Sequence, residues 1–402
     1  EFHRLYYSPS NAYFFLYGNI PTEQHLAFLE GVLAGFGRVR VDSAIGLQPR
    51  WSAPRSRRDC YPIAKADSPA RKTVVNLAWM AAENTESEEV LLLRVVSHAL
   101  VGTAAGPLRR ALIDSGLGED LSPVTGLESD LRQVVFGVGL RGTDPDKQGA
   151  VETLILETLE GIAEKGFDRD LIEAALHQVE FHGREIVRGA YPYGVTLMGR
   201  VFHTWLYDGD PLVPLQFNAF IGRIRERWRR DPGLFQRVVR RWFLDNPHRL
   251  TSVMEPSRTC LDETEARFRQ RMAELEGTLS EKERLRIRDE ALRLKALQSE
   301  PDSPEALAAL PRLRRADIPR EAERIPSETD RTDGIDVLKH EIFGNGIVYL
   351  DCAFDCSHVP EELQPYLPLL GKLARGMGAA GRRYDEMATR ISMAMGRLDV
   401  QL

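Results

Sequence analysis

Of the 40 residues from Leu261 to Glu300, 19 are Asp, Glu, Lys or Arg. No hydrophobic core can run through such a stretch, because buried charge at that density would go largely unpaired. What is apolar there is periodic. Leu261, Phe268, Met272 and Leu275 form one helical stripe, and Leu285, Leu292 and Ala296 form another, with Gly277 breaking the helix between them. Ser280 followed by Glu283 is a capping box that restarts it. The pattern predicts a solvated helical hairpin over a 257–330 connector, mechanical in role, which splits the chain into an upstream and a downstream part. Five prolines from Pro301 to Pro326 extend the connector, and Ser303-Pro304 starts one short helix within it.

Upstream, short apolar runs alternate with amphipathic segments. Asn11 to Gly18 predicts a strand buried on both faces, followed by a helix capped by Thr22 with Leu26, Leu29, Leu33 and Phe36 on a buried stripe. Thr73 to Met80 is a second strand. A capping box at Thr85-Glu88 opens a helix through Leu100, and Gly106-Pro107 restarts another that ends near Gly116. Gln133 to Leu140 is a third strand. The next helix carries Val151, Leu154, Ile155, Leu159 and Ile162 on one face and stops at Gly166. Asp168 caps a longer one with Ile172, Ala175, Leu176, Val179 and Ile186 on its stripe. Helices at about 194–207, 215–228 and 234–243 precede a strand from His248 to Met254. Without a glycine-rich turn from strand to helix, a nucleotide-binding doubly wound sheet is disfavoured. The fold class expected is α+β: a layered, antiparallel-rich sheet with helices on one face, then the hairpin, then a partial second α+β domain over 331–402. That last part, with strands near Val337–Phe343 and Ile347–Phe354 and helices at 361–377 and 384–395, is too small to bury a core of its own.

The chain has 402 residues, 43% of them hydrophobic, so it can bury more than one core, and its net charge of -6 provides no global basic field for nucleic acid or an anionic membrane. Four cysteines, at 60, 260, 352 and 356, are too scattered for a disulfide framework and predict a reducing, intracellular setting, cytoplasmic or organellar. No apolar run approaches the roughly 18 residues needed to cross a bilayer. Both ends, the start at Glu1-Phe2-His3 and the stop at Gly396 to Leu402 in what reads as an opening strand, are expected to be cut from a longer protein.

Candidate chemistry is sparse. His177-Gln178-Val179-Glu180-Phe181-His182 lies on a helix, but zinc-binding histidines must share a face at i and i+4, and residues five apart diverge by about 140°. Phe181 stands where either orientation of the zinc motif needs a polar ligand. Cys352, Cys356 and His358 form a possible metal cluster only if the chain reverses after Phe354. On a strand, residues four apart are about 13 Å apart, so buried small residues are the expectation. Ser97-His98 has no identifiable acid partner, and Asp114-Ser115-Gly116 reads as a helix end. The run Arg223-Ile224-Arg225-Glu226-Arg227-Trp228-Arg229-Arg230 reads as a solvated helix face. The residues themselves show no catalytic constellation and no metal site, and leave any substrate-binding residues unknown.

Several stretches in order resemble the pitrilysin/insulinase superfamily of zinc metallopeptidases, in its presequence-protease and falcilysin branch. They are Phe2 through Ala12 to Gly18-Asn19, Gly106-Pro107-Leu108 to Gly118, Val179 to Glu185, Tyr191-Pro192-Tyr193-Gly194, Trp205-Leu206-Tyr207 before Asp210-Pro211-Leu212, and Gln298 followed by Asp302 to Leu307 and Leu310-Pro311. The resemblance implies a clamshell enzyme that encloses short unstructured peptides, its two halves joined by a helical hairpin. The zinc would sit on a His-x-x-Glu-His helix and a downstream Glu. No stretch here matches that helix, so the resemblance assigns no zinc ligand or base to this chain: zinc belongs to the parent enzyme, and none is expected on these residues. The implied boundaries are 1–18 for the end of the first peptidase domain, 19–256 for the second, 257–330 for the hinge and 331–402 for the start of the third. Expected partners are peptides and the remaining domains of the same polypeptide, with no nucleic acid and no membrane. Two other readings remain open: a non-catalytic scaffold or processing-complex subunit of the same fold, and a complete metal enzyme using His177, Glu180 and His182.

Overall fold

The computed structural model describes residues 2–186, 191–322 and 324–401. Two compact units emerge, one formed by Glu1–Pro256 with Gly344–Leu402 and the other by Ser257–Phe343.

The first unit is built on a sheet of β1 (Arg55–Pro62), β2 (Thr73–Glu83), β3 (Asp120–Leu121), β4 (Gly126–Glu128), β5 (Gln133–Thr143) and β6 (Arg249–Ser257), in the order β1-β6-β2-β5-β3 with β4 also on β5. β2 pairs antiparallel with β5 and β6, as β3 and β4 do with β5. β2 holds the centre because Thr-Val-Val-Asn-Leu-Ala-Trp-Met is apolar on both faces and buried along most of its length. At the β2–β5 crossing, Gly139 lies against the Val75 carbonyl so closely that any Cβ would collide with it.

The helices of this unit are α1 (Phe2–Tyr6), α2 (Thr22–Leu33), α3 (Ser87–Ser97), α4 (Pro107–Asp114), α5 (Gln148–Lys165), α6 (Arg169–Arg184), α7 (Tyr193–Trp205), α8 (Phe217–Arg230) and α9 (Leu234–Val239). Of the expected α5 stripe, Val151, Ile155, Leu159 and Ile162 are buried and Leu154 is half-buried, and Gly166 ends the helix at a φ of 88°. Of the expected α6 stripe, Ile172, Ala175, Leu176 and Val179 are buried, under an Asp168 cap that accepts from the Asp170 amide, whereas Ile186 lies past the end of the helix and is half-buried. Trp79, Phe136 and Phe243 meet at the centre, with ring centroids 4.7 to 6.2 Å apart.

The second unit contains α10 (Cys260–Thr278), α11 (Glu281–Ser299) with the Ser280–Glu283 capping box in place, and α12 (Pro304–Ala309) capped by Ser303. A hairpin of β7 (Glu328–Thr332) and β8 (Ile335–Lys339) turns through Asp333-Gly334, both at positive φ, as a tight hairpin of this hand requires. The α10 and α11 apolar stripes are exposed, Phe268 at 61% and Leu292 at 60%.

The last segment of the first unit carries α13 (Leu367–Ala374) and α14 (Tyr384–Ala394). α14 lies along α6: Gln178 Nε2 donates to the Ser392 and Met395 carbonyls at 3.1 and 2.7 Å, and Arg110 pairs with Asp385 at 2.8 Å.

Several expectations need correction. Asn11–Gly18 forms no strand: Asn11 ends a 3-10 turn, and Tyr13, Phe15 and Tyr17 turn their rings to Trp205, Phe202 and Tyr193 of α7, with Tyr13 and Tyr17 still exposed. The α2 stripe is not buried, and its N-cap is Pro21 rather than Thr22. Thr85 makes no capping box, because α3 starts two residues later from Glu86. Ile347–Phe354 is no strand; Ile347 is half-buried, and the other large apolar side chains are exposed, Val348 at 92%. Residues 396–401 form no strand, and Leu402 lies outside the described residues. The stretch Ser87–Asp114 does reach membrane-spanning length and apolarity, yet 61% of its most apolar window is buried in the fold, as befits a core helix.

Candidate ligand cavity

α3 does not end at Ser97. It continues as a π-turned segment from His98 to Gly102, an irregularity that often marks a functional position. The bare Gly102 faces the His98 ring, where a Cβ would lie 2.6 Å from Nδ1. This close approach needs glycine. It leaves the imidazole lining a cavity of about 680 Å³, within the range that encloses small organic ligands. The walls come from α3, the loop around β4, the end of α6, α7 and the start of α8, all in the first unit.

The lining is polar in a particular way. Asn84 is fully buried, and its Nδ2 donates to the His203 carbonyl at 2.6 Å, which joins the end of β2 to α7. Its Oδ1 has no partner among the described residues, nor have Ser87 Oγ, His98 Nε2 and His203 Nε2. His203 Nδ1 lies 3.4 Å from Asp130 Oδ1, so Nδ1 carries the proton and Nε2 is left as an acceptor. Arg94 donates to Ser129 Oγ at 3.3 Å and Arg200 to the Gly183 carbonyl at 3.0 Å.

Electrostatics sharpen this picture. Burial, and then the neighbouring His182, hold the His98 imidazole down at about 4, so it is neutral near pH 7. Burial likewise depresses His203, against the upward pull of Asp130. Arg94 is lowered by burial and by Arg200, with Asp130 acting the other way. Asp130 is the one carboxylate among the described lining residues, and it is largely solvent-exposed. Two guanidiniums therefore face one screened carboxylate and the neutral His98 imidazole, which makes the cavity cationic.

Two family models match the chain: the peptidase M16 inactive domain over residues 1–179, and the domain associated with subfamily C of the M16 peptidases over residues 254–402. Protein HypA of Clostridium perfringens is 32% identical over 397 residues, 98% of this chain and 40% of that protein. Presequence protease 1 of Arabidopsis thaliana, chloroplastic/mitochondrial, is 32% identical over all of this chain and 37% of its own length, and the mitochondrial presequence protease of Xenopus laevis 32% identical over all of this chain and 39% of its own. The chain belongs to the M16 peptidase family. Within the M16 family its likeness is to the presequence-protease branch. It spans about two fifths of the length of these relatives. A solved protease from Helicobacter pylori shares 15% identity over 63% of this chain and 57% of that one, with a TM-score of 0.47.

The M16 zinc finds no fitting donor set among the described residues. His177, Glu180 and His182 point three ways. His177 Nδ1 bonds the Ser392 carbonyl at 2.8 Å, Glu180 pairs with Arg184 and Arg225, and His182 Nδ1 meets the Gln178 carbonyl at 2.7 Å while its ring lines the cavity. Cys352 is exposed and Cys356 half-exposed, not buried as expected, and no metal cluster forms around them among the described residues. Asp114–Gly116 ends α4, with Gly116 at a φ of 66°. The arginine-rich α8 is an ion-paired face: Arg223 and Arg227 hold Glu88, Arg225 holds Glu173 and Glu180, and Arg229 and Arg230 pair with Glu226. The sequence reading singled out His98 but missed Asn84, Arg94, Arg200 and His203. A signal existed: apart from the acidic first turn of α3, Ser87, Arg94 and His98 recur at spacings of seven and four, which places them on one face of the helix.

Proposed function

We propose that this chain forms the non-catalytic wall and hinge of a clamshell zinc metalloendopeptidase that degrades short unstructured peptides. The observation that carries the reading is the succession of an M16 inactive-domain match and a match to the subfamily C associated domain in a sequence without any His-x-x-Glu-His. In this reading residues 1–18 close the first peptidase domain, 19–256 form the second, 257–330 are the hinge and 331–402 open the third. The charged, solvent-facing α10 and α11 suit a connector, since they form no part of a core that motion would disrupt. The zinc site, the water-activating Glu and the peptide substrate belong to the whole protein.

The test is to compare the full-length protein containing this chain with the 402-residue chain, measuring bound zinc and chelator-sensitive cleavage of a quenched fluorescent peptide. Zinc and cleavage in the full-length protein, with neither in the chain, is the expected result. Inert full-length protein would favour a scaffold or processing-complex subunit of the same fold. Stoichiometric zinc on the chain, lost on His177→Ala, would overturn both.

A further inference from the structure

We propose that the cavity of the first unit binds the carboxylate end of a short peptide, with Arg94 and Arg200 taking the carboxylate and Asn84 and His203 accepting N–H groups beside it. Nothing in this inference depends on where the parent's chemistry occurs.

The anion half of the claim rests on charge and unused donors. A guanidinium has five N–H groups, and among the described residues Arg94 and Arg200 donate only to Ser129 and Gly183. Arg94, exposed, and Arg200, half-buried, line a recess in which the one carboxylate among the described lining residues, Asp130, is 91% exposed and held against His203. Guanidinium with carboxylate is the pairing that this geometry recognises most strongly.

The donor half rests on two acceptors fixed by separate bonds. Asn84 Oδ1 is buried without a partner because its own Nδ2 is committed to the His203 carbonyl; flipping the amide would set oxygen against oxygen. His203 Nε2 is an acceptor because Asp130 draws the proton to Nδ1. An unpaired buried acceptor destabilises the fold, so a ligand that supplies N–H groups recovers that loss at each. A carboxylate with a neighbouring amide is the terminus of a peptide. Phe217, Phe220 and Leu127 provide apolar wall for a side chain.

The test uses titration calorimetry of the chain with N-acetyl-Ala-Ala, with the same compound as its C-terminal amide, and with inorganic phosphate. The acid should bind in the millimolar range or better, and the amide roughly tenfold or more weakly, as loss of a charge-assisted pair implies. Arg94→Gln and Arg200→Gln should each cost the acid a similar factor and leave the amide unchanged, with thermal melting confirming that each variant folds. Arg200→Lys, which keeps the charge, should recover part of the loss. No binding of the acid at millimolar concentration would overturn the proposal, as would equal affinity for acid and amide. Phosphate binding as tightly as the acid would also overturn it, since that site would read charge alone.

Discussion

His98 gives the sharpest test of the cavity's electrostatics. Its imidazole lies at about 4 in the folded chain against an ordinary 6.5, chiefly through burial and then through the nearby His182. Between those two values the unfolded chain binds a proton that the folded chain does not, so stability falls with falling pH across that window. Below about 4 both states are protonated and this loss stops growing; above about 6.5 neither is, and the full stability is present. At about 1.4 kcal/mol per pH unit, the interval amounts to about 3 kcal/mol. The perturbation is His98→Gln, which keeps a polar side chain of similar reach and cannot titrate. Urea unfolding followed by tryptophan fluorescence is suitable because Trp79 and Trp242 are buried in this unit. Measured from pH 7 to pH 4, the native chain should lose about 3 kcal/mol more than the variant, since contributions from distant carboxylates cancel in the comparison. A proton NMR titration of the His98 ring should show the low midpoint directly. Parallel pH profiles for native and variant chains would refute the reasoning, because His98 would then titrate alike folded and unfolded.

Gly139→Ala should cost 3 kcal/mol or more, roughly the range for a forced backbone collision, because the new Cβ would meet the Val75 carbonyl and Asn76 Cα rather than a movable side chain. Gly149→Ala, in open space on α5, is the control and should raise the urea midpoint slightly. Gln178→Leu removes the donor to the Ser392 and Met395 carbonyls and should loosen α14 by about 1–3 kcal/mol. Hydrogen exchange in Tyr384–Ala394 should then quicken while β2 and β5 stay protected; unchanged exchange in α14 would mean that this bond holds nothing.

The elements most legible in the sequence are those whose burial forces a period. β2 and β5 cross the centre of a sheet, so both faces are apolar, and α5 and α6 turn one stripe to the core. β1 escaped notice because Arg-Ser-Arg-Arg-Asp-Cys-Tyr-Pro sits at the sheet edge, where charge rather than apolar alternation is the rule. The opposite error arose at Asn11–Gly18 and Ile347–Phe354, which are as apolar as core strands but meet no strand partner among the described residues. Apolarity marks a segment that gains from burial, and only topology decides whether a sheet supplies it. The cavity was hidden for a different reason: Asn84 and Arg94 are separated by about a hundred residues from Arg200 and His203 of α7, and no local spacing connects the two pairs.

The unpaired acceptor on Asn84 could follow simply from docking α7, since the side chain spends its donor on the His203 carbonyl and must turn its oxygen elsewhere. By itself that would be a structural cost of about 1–3 kcal/mol and no sign of a ligand. His203 changes the weight of the observation. Its tautomer is set by Asp130, a residue on a different segment, yet its free Nε2 is also left without a partner in the wall of the same cavity. Two bonds with no atom in common thus leave two acceptors in one recess, beside guanidiniums whose own described partners use few of their donors. A fold under pressure only to pack would remove such costs with apolar side chains of similar volume, as it does throughout the Trp79–Phe136–Phe243 centre. Here the costs sit together around cationic side chains, and a peptide terminus is the chemical class that satisfies both halves at once.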